Sequence, residues 1–595
     1  MSERDGAYSR ELLEALERAS DAMERGATFK AAYERLLLDA RDDDADRLMQ
    51  LQREARATWL LLLRATAQGQ ARALVVGDAL SGSSVPLGHL GFATTLLDAS
   101  SERLRFARLR NRNLTPGDEP NTVAYAGGAL PFADGAFELV VFESSLASGE
   151  PSLDELQRVC RGELVRIADN RFAYKRSSGR RGVFRVPGPI EYARRVLGSS
   201  GEQSLAGYRA EARADGFAPP RAFALYPDAR EFTYVVGLDS EQPSLEVGPK
   251  ERGNKLKLLG QSLGLFPLLT PSFALLSARS AIEDAPTRAE RLLDALAERC
   301  GERRGELEHV VATRGNSALL MTRRSAGDER GEGDWCVHIG LSAAQRSQLA
   351  THAHFLRTLA ERFPNVPAPE LLFCGELDGL FLTCERRASG LTAPQHTGEP
   401  GPTRTMLADA ARVLAQLVVE PAAPMSEADF EQLVARRFRL VERYCGHVDT
   451  AANLRAMMER AREQLVGRTF PRVVYHADLR SKHVQVDARG RITALLDWGS
   501  GEERDLPYFD LFHLIVHERK QAEGLDARTA WRLTSDPSTL REHEAAALDD
   551  YSRRLGLDDE YRRALAGFYP VLVAAMAESH WDYSRPRWLR RQFGL

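Results

Sequence analysis

Residues 473–514 read VVYHADLRSKHVQVDARGRITALLDWGSGEERDLPYFDLFHL, the stretch of the chain richest in chemically active side chains. Two short strand-like runs flank the loop YHADLRSKH, and the second run ends at Asp497. An Asp in a loop, a nitrogen or oxygen ligand five residues later and an Asp at the end of the next hairpin can converge on one Mg²⁺ ion. Asp478, His483 and Asp497 follow this spacing. The pattern therefore predicts a magnesium site of the kind that phosphoryl transfer requires.

The same stretch resembles the aminoglycoside and choline phosphotransferase family, whose pattern is H-x-D-x-x-x-x-N followed by a strand ending in [IL]-[IL]-D-[WF]. The resemblance implies that Asp478 is the catalytic base, that His476 supports its loop, and that Asp497 binds magnesium. His483 stands where the family usually has Asn. We expect it to face the metal as a neutral imidazole.

The resemblance extends to both sides of this stretch. Downstream, D-x-P-x-x-D falls on Asp505 and Asp510, which would brace the catalytic loop. Upstream, His338 aligns with the strand Lys or Arg that binds phosphate, and Glu385 lies near the linker on the adenine side. Both would be nucleotide-binding residues, and the implied cofactor is Mg²⁺ with ATP. His352 falls near the family's helical Glu, and a His–His arrangement cannot reproduce a Lys–Glu ion pair at neutral pH.

The first half of the chain carries a second candidate site. The run VVGDALSGSS, residues 75–84, lies where a buried strand should turn into a helix. Gly77 and Gly82 would permit a ligand to approach the backbone closely. Asp98 ends the next strand, 21 residues after Gly77, where a carboxylate suits the two hydroxyls of a ribose.

Residues 124–146, AYAGGALPFADGAFELVVFESSL, resemble the class I S-adenosylmethionine-dependent methyltransferases through their LPF-x-DG-x-F-[DE]-LVV signature. The resemblance covers roughly residues 72–279 and implies S-adenosylmethionine as a cofactor, bound by the two glycines and the ribose-side Asp. Val75 and Ala79 stand where the family usually has an acidic residue and a further glycine. A retained fold that serves as a scaffold or partner surface therefore stays open.

Together, the alternation of strands and helices and the two resemblances imply a fold class of α/β and α+β, with a Rossmann-like doubly wound sheet followed by a bilobal protein-kinase-like domain. The predicted divisions are an N-terminal helical segment (1–70), a methyltransferase-like domain (71–280), a helical linker (281–306), a small β-rich lobe (307–385) and a larger helical lobe (386–595).

Composition excludes several classes of protein. Among 595 residues, 80 Lys and Arg against 84 Asp and Glu leave a formal charge of −4, which removes the main electrostatic case for a nucleic-acid partner. The six cysteines include no C-x-x-C pair, so a disulfide scaffold or zinc ribbon is not expected. The charged start lacks the apolar core of a signal peptide, and we expect a cytoplasmic protein.

Two other features have ordinary explanations. Residues 256–278 are long enough to span a membrane, but a glutamine and two prolines interrupt them, which favours a buried strand and helix. His513 and His517 lie four apart, as metal ligands can, but the HLIVH run favours packing in the large lobe.

The two resemblances imply an enzyme that transfers the γ-phosphate of ATP to a hydroxyl of a small polar acceptor, such as a sugar, aminoglycoside or glycan precursor, fused to a methyltransferase-like domain. Two alternatives stay open. Only the methyltransferase works and the kinase-like half binds without transfer, or neither site turns over and the chain is an assembly protein. The Asp478 and Asp497 pair favours transfer, whereas His338 in place of a Lys favours the alternatives.

Overall fold

The computed structural model describes residues 8–64, 71–115, 117, 119–144, 151–173, 202–212, 217–239, 264–279, 282–313, 316–324, 333–393, 400–442 and 448–579. The chain forms two compact units. The first comprises Met1–Arg346 with Gly375–Cys384, and the second comprises Ser347–Cys374 with Glu385–Leu595.

The first unit opens with helices. They are α1 (Arg10–Glu24), α2 (Phe29–Asp39), α3 (Asp42–Leu51) and a 3₁₀ helix (Glu54–Leu62). Ser9 caps α1 by accepting the Leu12 backbone N–H at 3.1 Å. The acidic run that begins at Asp42 starts α3, where carboxylates favour the positive end of the helix dipole.

A parallel sheet follows these helices. Its strands are β1 (Arg72–Val76), β2 (Ala93–Asp98), β3 (Asn121–Ala124), β4 (Phe137–Glu143) and β5 (Cys160–Asp169), in the spatial order β3-β2-β1-β4-β5. The connecting helices are α4 (Ser84–His89), α5 (Ser101–Leu114) and α6 (Leu153–Val159). The apolar run 73–76 is buried in β1 between β2 and β4, as expected for a central parallel strand. The carboxyl ends of β1, β2 and β4 therefore share one edge of the sheet.

Antiparallel strands extend this sheet beyond β5. The next elements are α7 (Leu205–Glu211), β6 (Arg221–Tyr226), β7 (Tyr234–Gly237), α8 (Phe266–Leu269), β8 (Ser272–Ala278) and α9 (Arg288–Cys300). The order continues β5-β8-β6-β7, and β8 is buried along its whole length. The described part of the apolar stretch 256–278 thus forms a short helix and a buried strand, and residues 256–263 lie outside the described residues.

The same sheet continues into the predicted small lobe. It adds β9 (Glu306–Ala312), β10 (Ser317–Arg323), β11 (Trp335–Gly340), β12 (Leu371–Leu377) and β13 (Leu380–Arg386), which gives thirteen strands among the described residues. The junction is the antiparallel pairing of Tyr234 with Val311 and of Val235 with Val310. One hydrogen-bonded ladder therefore runs through both predicted domains of the first unit.

The second unit is mostly helical. Its elements are α10 (Ala343–Arg362, which begins in the first unit), β14 (Leu391–Thr392), α11 (Pro400–Leu414), β15 (Val418–Pro424), α12 (Glu427–Phe430), α13 (Arg436–Glu442), α14 (Val448–Leu465), β16 (Thr469–Tyr475), β17 (Val484–Val486), β18 (Ile492–Leu495), β19 (Glu502–Asp505), α15 (Phe509–Glu523), α16 (Ala527–Ser535), α17 (Glu542–Leu555) and α18 (Asp559–Ser579). Two small sheets, β14-β17-β18 and β15-β16-β19, lie among them. Residues 473–514 run from β16 to the start of α15. Among the described helices, none is long and apolar enough to cross a membrane.

Candidate active site

The loop that follows β16 is held by the start of α15. The carboxylate of Asp510 accepts the backbone N–H of His476 at 2.8 Å and that of Ala477 at 3.1 Å. Ala477 has φ 70°, a left-handed conformation that is unfavourable for a residue with a Cβ. Asp510 is buried, and burial raises its pKa to about 8. The two hydrogen bonds hold the loop in a conformation that its own sequence does not favour.

Asp505 has a different partner. Its carboxylate receives both arms of the Arg437 guanidinium, with Nη1 3.0 Å from Oδ1, and both residues are buried. It also accepts the Leu506 N–H at 2.7 Å. Asp505 therefore joins β19 to α13, and Asp510 makes the contact with the loop.

Asp478, His483 and Asp497 come together at the end of the hairpin. One ligand atom from each lies within 4.8 Å of the others. The Nδ1 of His483 is 2.6 Å from the carbonyl oxygen of Asp478, and its Nε2 is 3.3 Å from Oδ2 of Asp497.

The protonation of His483 decides what this cluster can bind. Burial lowers the pKa of His483 to about 4, so the ring is neutral at pH 7. Because its Nδ1–H donates to the carbonyl of Asp478, its Nε2 presents a lone pair to Asp497. A nitrogen lone pair and a carboxylate oxygen repel each other at this distance, and a cation between them would remove the repulsion. The imidazole of His483 and the carboxylate of Asp497, with Asp478 beside them, fit a divalent cation.

Asp497 is fixed by a hydrogen-bond chain that begins in α10. It adopts a left-handed conformation, φ 63°, before the 3₁₀ turn Trp498–Ser500. The Trp498 N–H donates to Nδ1 of His352 at 3.0 Å. The Nε2 of His352 can then carry the proton, and it lies 3.1 Å from Oε2 of Glu385 at the end of β13. The carboxylate of Glu385, which was predicted to bind nucleotide, is thus hydrogen-bonded to His352.

Asp478 lies between the side chains of Arg480 and His513. Arg480 forms an ion pair with its Oδ2, and Nε2 of His513 lies 3.8 Å from its Oδ1. Burial acts to raise the pKa of Asp478, but the contacts with His513 and His483 and the charge of Arg480 outweigh it and hold the pKa well below its usual value. The carboxylate is ionised at neutral pH and can accept a hydrogen bond from a hydroxyl group.

His476 supports the loop from beneath. Its Nε2 donates to the carbonyl of Leu496 at 2.8 Å, and its ring centroid is 4.5 Å from that of Trp498. Burial lowers the pKa of His476, so the ring stays neutral. His476 therefore links the loop of Asp478 to the residue that precedes Asp497.

The two glycines predicted to bind a cofactor, Gly77 and Gly82, have little room for a side chain. Gly77 has φ 158°, and a Cβ there would lie 3.1 Å from the Cβ of Glu143. A Cβ at Gly82 would clash with the backbone carbonyl of Gln52. Packing within the unit thus favours glycine at both positions, and their binding of a cofactor stays a prediction.

Asp98, the predicted ribose ligand, is already saturated by the chain. Its Oδ2 accepts the Ala79 N–H at 2.7 Å, and its Oδ1 accepts the Ser100 N–H at 2.9 Å and pairs with Arg103. The side chain is 1% exposed. The neighbouring Asp78 accepts a hydrogen bond from Tyr8. These residues, as they stand, do not fit the hydroxyls of a bound nucleoside.

Two further histidines lie on β11 and α15. His338, predicted to replace the phosphate-binding Lys, lies in β11 opposite Leu319 of β10 and is half-buried. His513 was expected to be a packing residue, and sequence reasoning missed its approach to Asp478. The available signal was spacing, since His513 follows Asp510 by three residues and therefore shares its face of α15.

Comparison with known proteins gives one family match. Residues 321–557 match the model of the phosphotransferase enzyme family. The match confirms the predicted family for the C-terminal part of the chain and includes all of residues 473–514. It does not reach the region 71–280, and no curated protein matches the chain.

Solved phosphotransferases are similar to part of the chain. The aminoglycoside phosphotransferase APH(3'')-Id from Streptomyces rimosus is 15% identical, covers 47% of this chain and 96% of its own length, and has a TM-score of 0.29. Macrolide 2'-phosphotransferase type I is 17% identical, covers 52% of this chain and 97% of its own length, and has a TM-score of 0.33. The GDP and kanamycin complex of APH(2")-IIia is 14% identical, covers 47% of this chain and 90% of its own length, and has a TM-score of 0.31. Similarity at this level does not define a substrate.

Proposed function

We propose that the C-terminal part of the chain is an ATP-dependent phosphotransferase that acts on a hydroxyl of a small polar acceptor. One observation carries the proposal: the convergence of Asp478, His483 and Asp497, with the Nε2 lone pair of His483 facing Asp497 at 3.3 Å. The family match over residues 321–557 supports it. Asp478, His483 and Asp497 all belong to the predicted larger lobe, 386–595.

The residues divide the work as follows. His483 and Asp497 would hold Mg²⁺, which when bound neutralises charge on the phosphates of the nucleotide. Asp478, ionised at neutral pH, would accept the proton of the acceptor hydroxyl. His476 and Asp510 would keep its loop in place through the hydrogen bonds to Leu496 and to the loop backbone.

Binding and turnover test this assignment separately. Calorimetry with Mg²⁺–ATP measures nucleotide binding, and ADP release with water as the acceptor measures transfer. We expect Asp497→Asn to weaken magnesium-dependent binding about tenfold or more, because a charged metal ligand is lost. We expect Asp478→Asn to leave binding within about threefold and to lower turnover by about 10²-fold or more.

Asp487→Asn is the matched control. Asp487 belongs to the turn between β17 and β18, where it accepts the N–H groups of Arg489 and Arg491. It should leave both measurements unchanged. Wild-type protein that binds ATP equally with and without Mg²⁺ would contradict the metal assignment.

One observation favours a second candidate, nucleotide binding without transfer. The ion pair with Arg480 occupies one oxygen of Asp478, which the transfer reaction needs. In that case Mg²⁺–ATP would bind, no ADP would be released, and Arg480→Gln would not restore release. Methyl transfer is not part of either proposal, because Asp98 already has three partners in the chain.

A further inference from the structure

One buried side chain near the site has no role in the proposed function, namely His513 on α15. Its ring is buried, and Nδ1 lies 2.6 Å from the hydroxyl of Tyr569 on α18. Its Nε2 lies 3.8 Å from Oδ1 of Asp478 and has no hydrogen-bond partner among the described residues. An unpaired polar atom in a buried position is uncommon, because it loses its hydrogen bond to water.

The contacts with Tyr569 and Asp478 together favour one tautomer of the His513 ring, because a lone pair on Nε2 would face the ionised carboxylate of Asp478. Burial raises the pKa of Tyr569 and lowers the pKa of His513, so both are neutral at pH 7. A neutral phenol donates its O–H, and the Nδ1 of a neutral imidazole can accept it. The proton of the His513 ring is then on Nε2. It is directed at Oδ1 of Asp478.

We propose that His513 is a positioning residue of the phosphotransferase reaction, with Tyr569 O–H donating to Nδ1 and Nε2–H donating to Oδ1 of Asp478. The inference rests on the function proposed above. A side-chain displacement of roughly 1 Å brings Nε2 and Oδ1 to hydrogen-bond distance. The proposal extends that function because it gives roles to His513 and Tyr569, which the proposed function does not use.

The position of His513 explains why Asp478 can stay available despite Arg480. Arg480 holds Oδ2 and His513 approaches Oδ1, so the plane of the carboxylate is set from both sides. Each carboxylate oxygen has a further lone-pair direction, which leaves one for an acceptor hydroxyl. His513 therefore acts on the orientation of Asp478 and does not touch the reacting atoms.

Kinetics with Mg²⁺–ATP and water as the acceptor test the proposal on the full chain. We expect His513→Leu to lower kcat by about 10²-fold, the effect of misplacing a reacting group, and to leave KM for Mg²⁺–ATP within about twofold. His513→Gln retains an N–H donor and should recover part of kcat. Tyr569→Phe should give an intermediate loss.

His517→Leu is the matched control, since His517 lies one turn along α15 with its ring centroid 4.5 Å from that of His513. Thermal unfolding of each variant shows whether it folds. Equal losses of kcat in His513→Leu and His517→Leu, or no recovery in His513→Gln, would overturn the positioning role.

Nitrogen-15 spectroscopy of labelled histidine gives a readout that does not depend on turnover. We expect the His513 signal, identified by its loss in His513→Gln, to show the Nε2–H tautomer and to shift in Tyr569→Phe. An Nδ1–H tautomer would overturn the inference. Failure of wild-type protein to bind Mg²⁺–ATP would count against the proposed function alone, and the tautomer would still decide the role of His513.

Discussion

At the scale of single residues, backbone strain marks the candidate site. Ala477, Asp497 and Tyr508 have φ values of 70°, 63° and 95°, and Asp378 is the fourth non-glycine residue with positive φ in the described chain. Each such conformation costs on the order of 1–3 kcal/mol and persists only where neighbours hold it. The Asp510 carboxylate holds Ala477, and the bond from Trp498 to His352 follows Asp497 directly. The strain lies on both sides of the proposed metal site.

Glycine substitution should reveal this strain. Ala477→Gly relieves a left-handed residue, whereas Ala494→Gly removes a buried methyl group from the ordinary strand β18. We expect both variants to lose unfolding free energy, and we expect the loss in Ala477→Gly to be smaller than the loss in Ala494→Gly by about 1–2 kcal/mol. Urea unfolding of the two variants measures the difference. Equal losses would mean that the loop conformation is not strained.

At the scale of elements, buried ion pairs join neighbouring segments. Arg437 on α13 and Asp505 on β19 are both buried and share two hydrogen bonds. The adjacent pair, Arg436 with Glu502, joins the same two elements at 3.0 Å but is exposed. The two pairs therefore differ in burial and not in the elements that they connect.

Removing one partner should separate their contributions. Asp505→Asn leaves a buried guanidinium without its counter-charge, and we expect a loss of about 3–5 kcal/mol in the free energy of unfolding. Glu502→Gln should lose less than about 1 kcal/mol. Urea unfolding of the second unit checks both. A small loss for Asp505→Asn would show that water reaches Arg437.

The 3₁₀ helix Glu54–Leu62 performs a similar joining role in the first unit. The Glu54 N–H donates to Oδ1 of Asn316 at 3.2 Å, and its carboxylate accepts a hydrogen bond from Ser342, directly before α10. Arg53 donates to the carbonyl of Thr313 at 2.6 Å. The segment thus ties the N-terminal helices to the turn after β9 and to the start of α10.

Glu54 should make the stability of the first unit depend on pH. Burial raises its pKa from 4.5 to about 7, so the folded chain keeps a proton that the unfolded chain releases. The free energy of unfolding should therefore fall as pH rises from about 4.5 to about 7, by on the order of 3 kcal/mol.

Glu54→Gln should remove this dependence, and the exposed Glu11→Gln on α1 should keep it. Urea unfolding of the first unit at several pH values between 5 and 8, followed by hydrogen exchange, measures the slope. Equal slopes for wild type and Glu54→Gln would contradict the assignment.

Some of this organisation could be predicted from sequence, and the reason is distance along the chain. Asp478, His483 and Asp497 belong to one hairpin, so their spacing nearly determines their geometry. Tyr8, the partner of Asp78, lies 70 residues away along the chain, and no sequence motif links the two. The strand-end Asp98 could be predicted, but its saturation by the Ala79 and Ser100 N–H groups and by Arg103 could not.

At the scale of the whole molecule, the first unit is organised by one sheet. The parallel strands, the antiparallel strands and β9–β11 share a single ladder, joined where β7 pairs with β9. The predicted boundaries at 280 and 306 fall within this unit and stay predictions. The ladder indicates that strands on both sides of them are stabilised together.

Hydrogen exchange should show this coupling. We expect the amides of Val310 and Val311 in β9 to exchange in the same cooperative opening as those of Leu164 in β5 and Leu276 in β8, at the same urea concentration. Mass spectrometry of the intact chain measures it. Opening of β9–β11 at a lower urea concentration, with β5 and β8 still protected, would favour independent domains.

The β7–β9 junction has a consequence for how the two predicted domains can be inherited. Without β7, strand β9 would expose a row of unpaired N–H and C=O groups to solvent. Such an edge is a template for pairing with another chain and promotes aggregation. A recombination event that separated the two coding regions would create this edge, so selection for solubility would act to keep them in one gene.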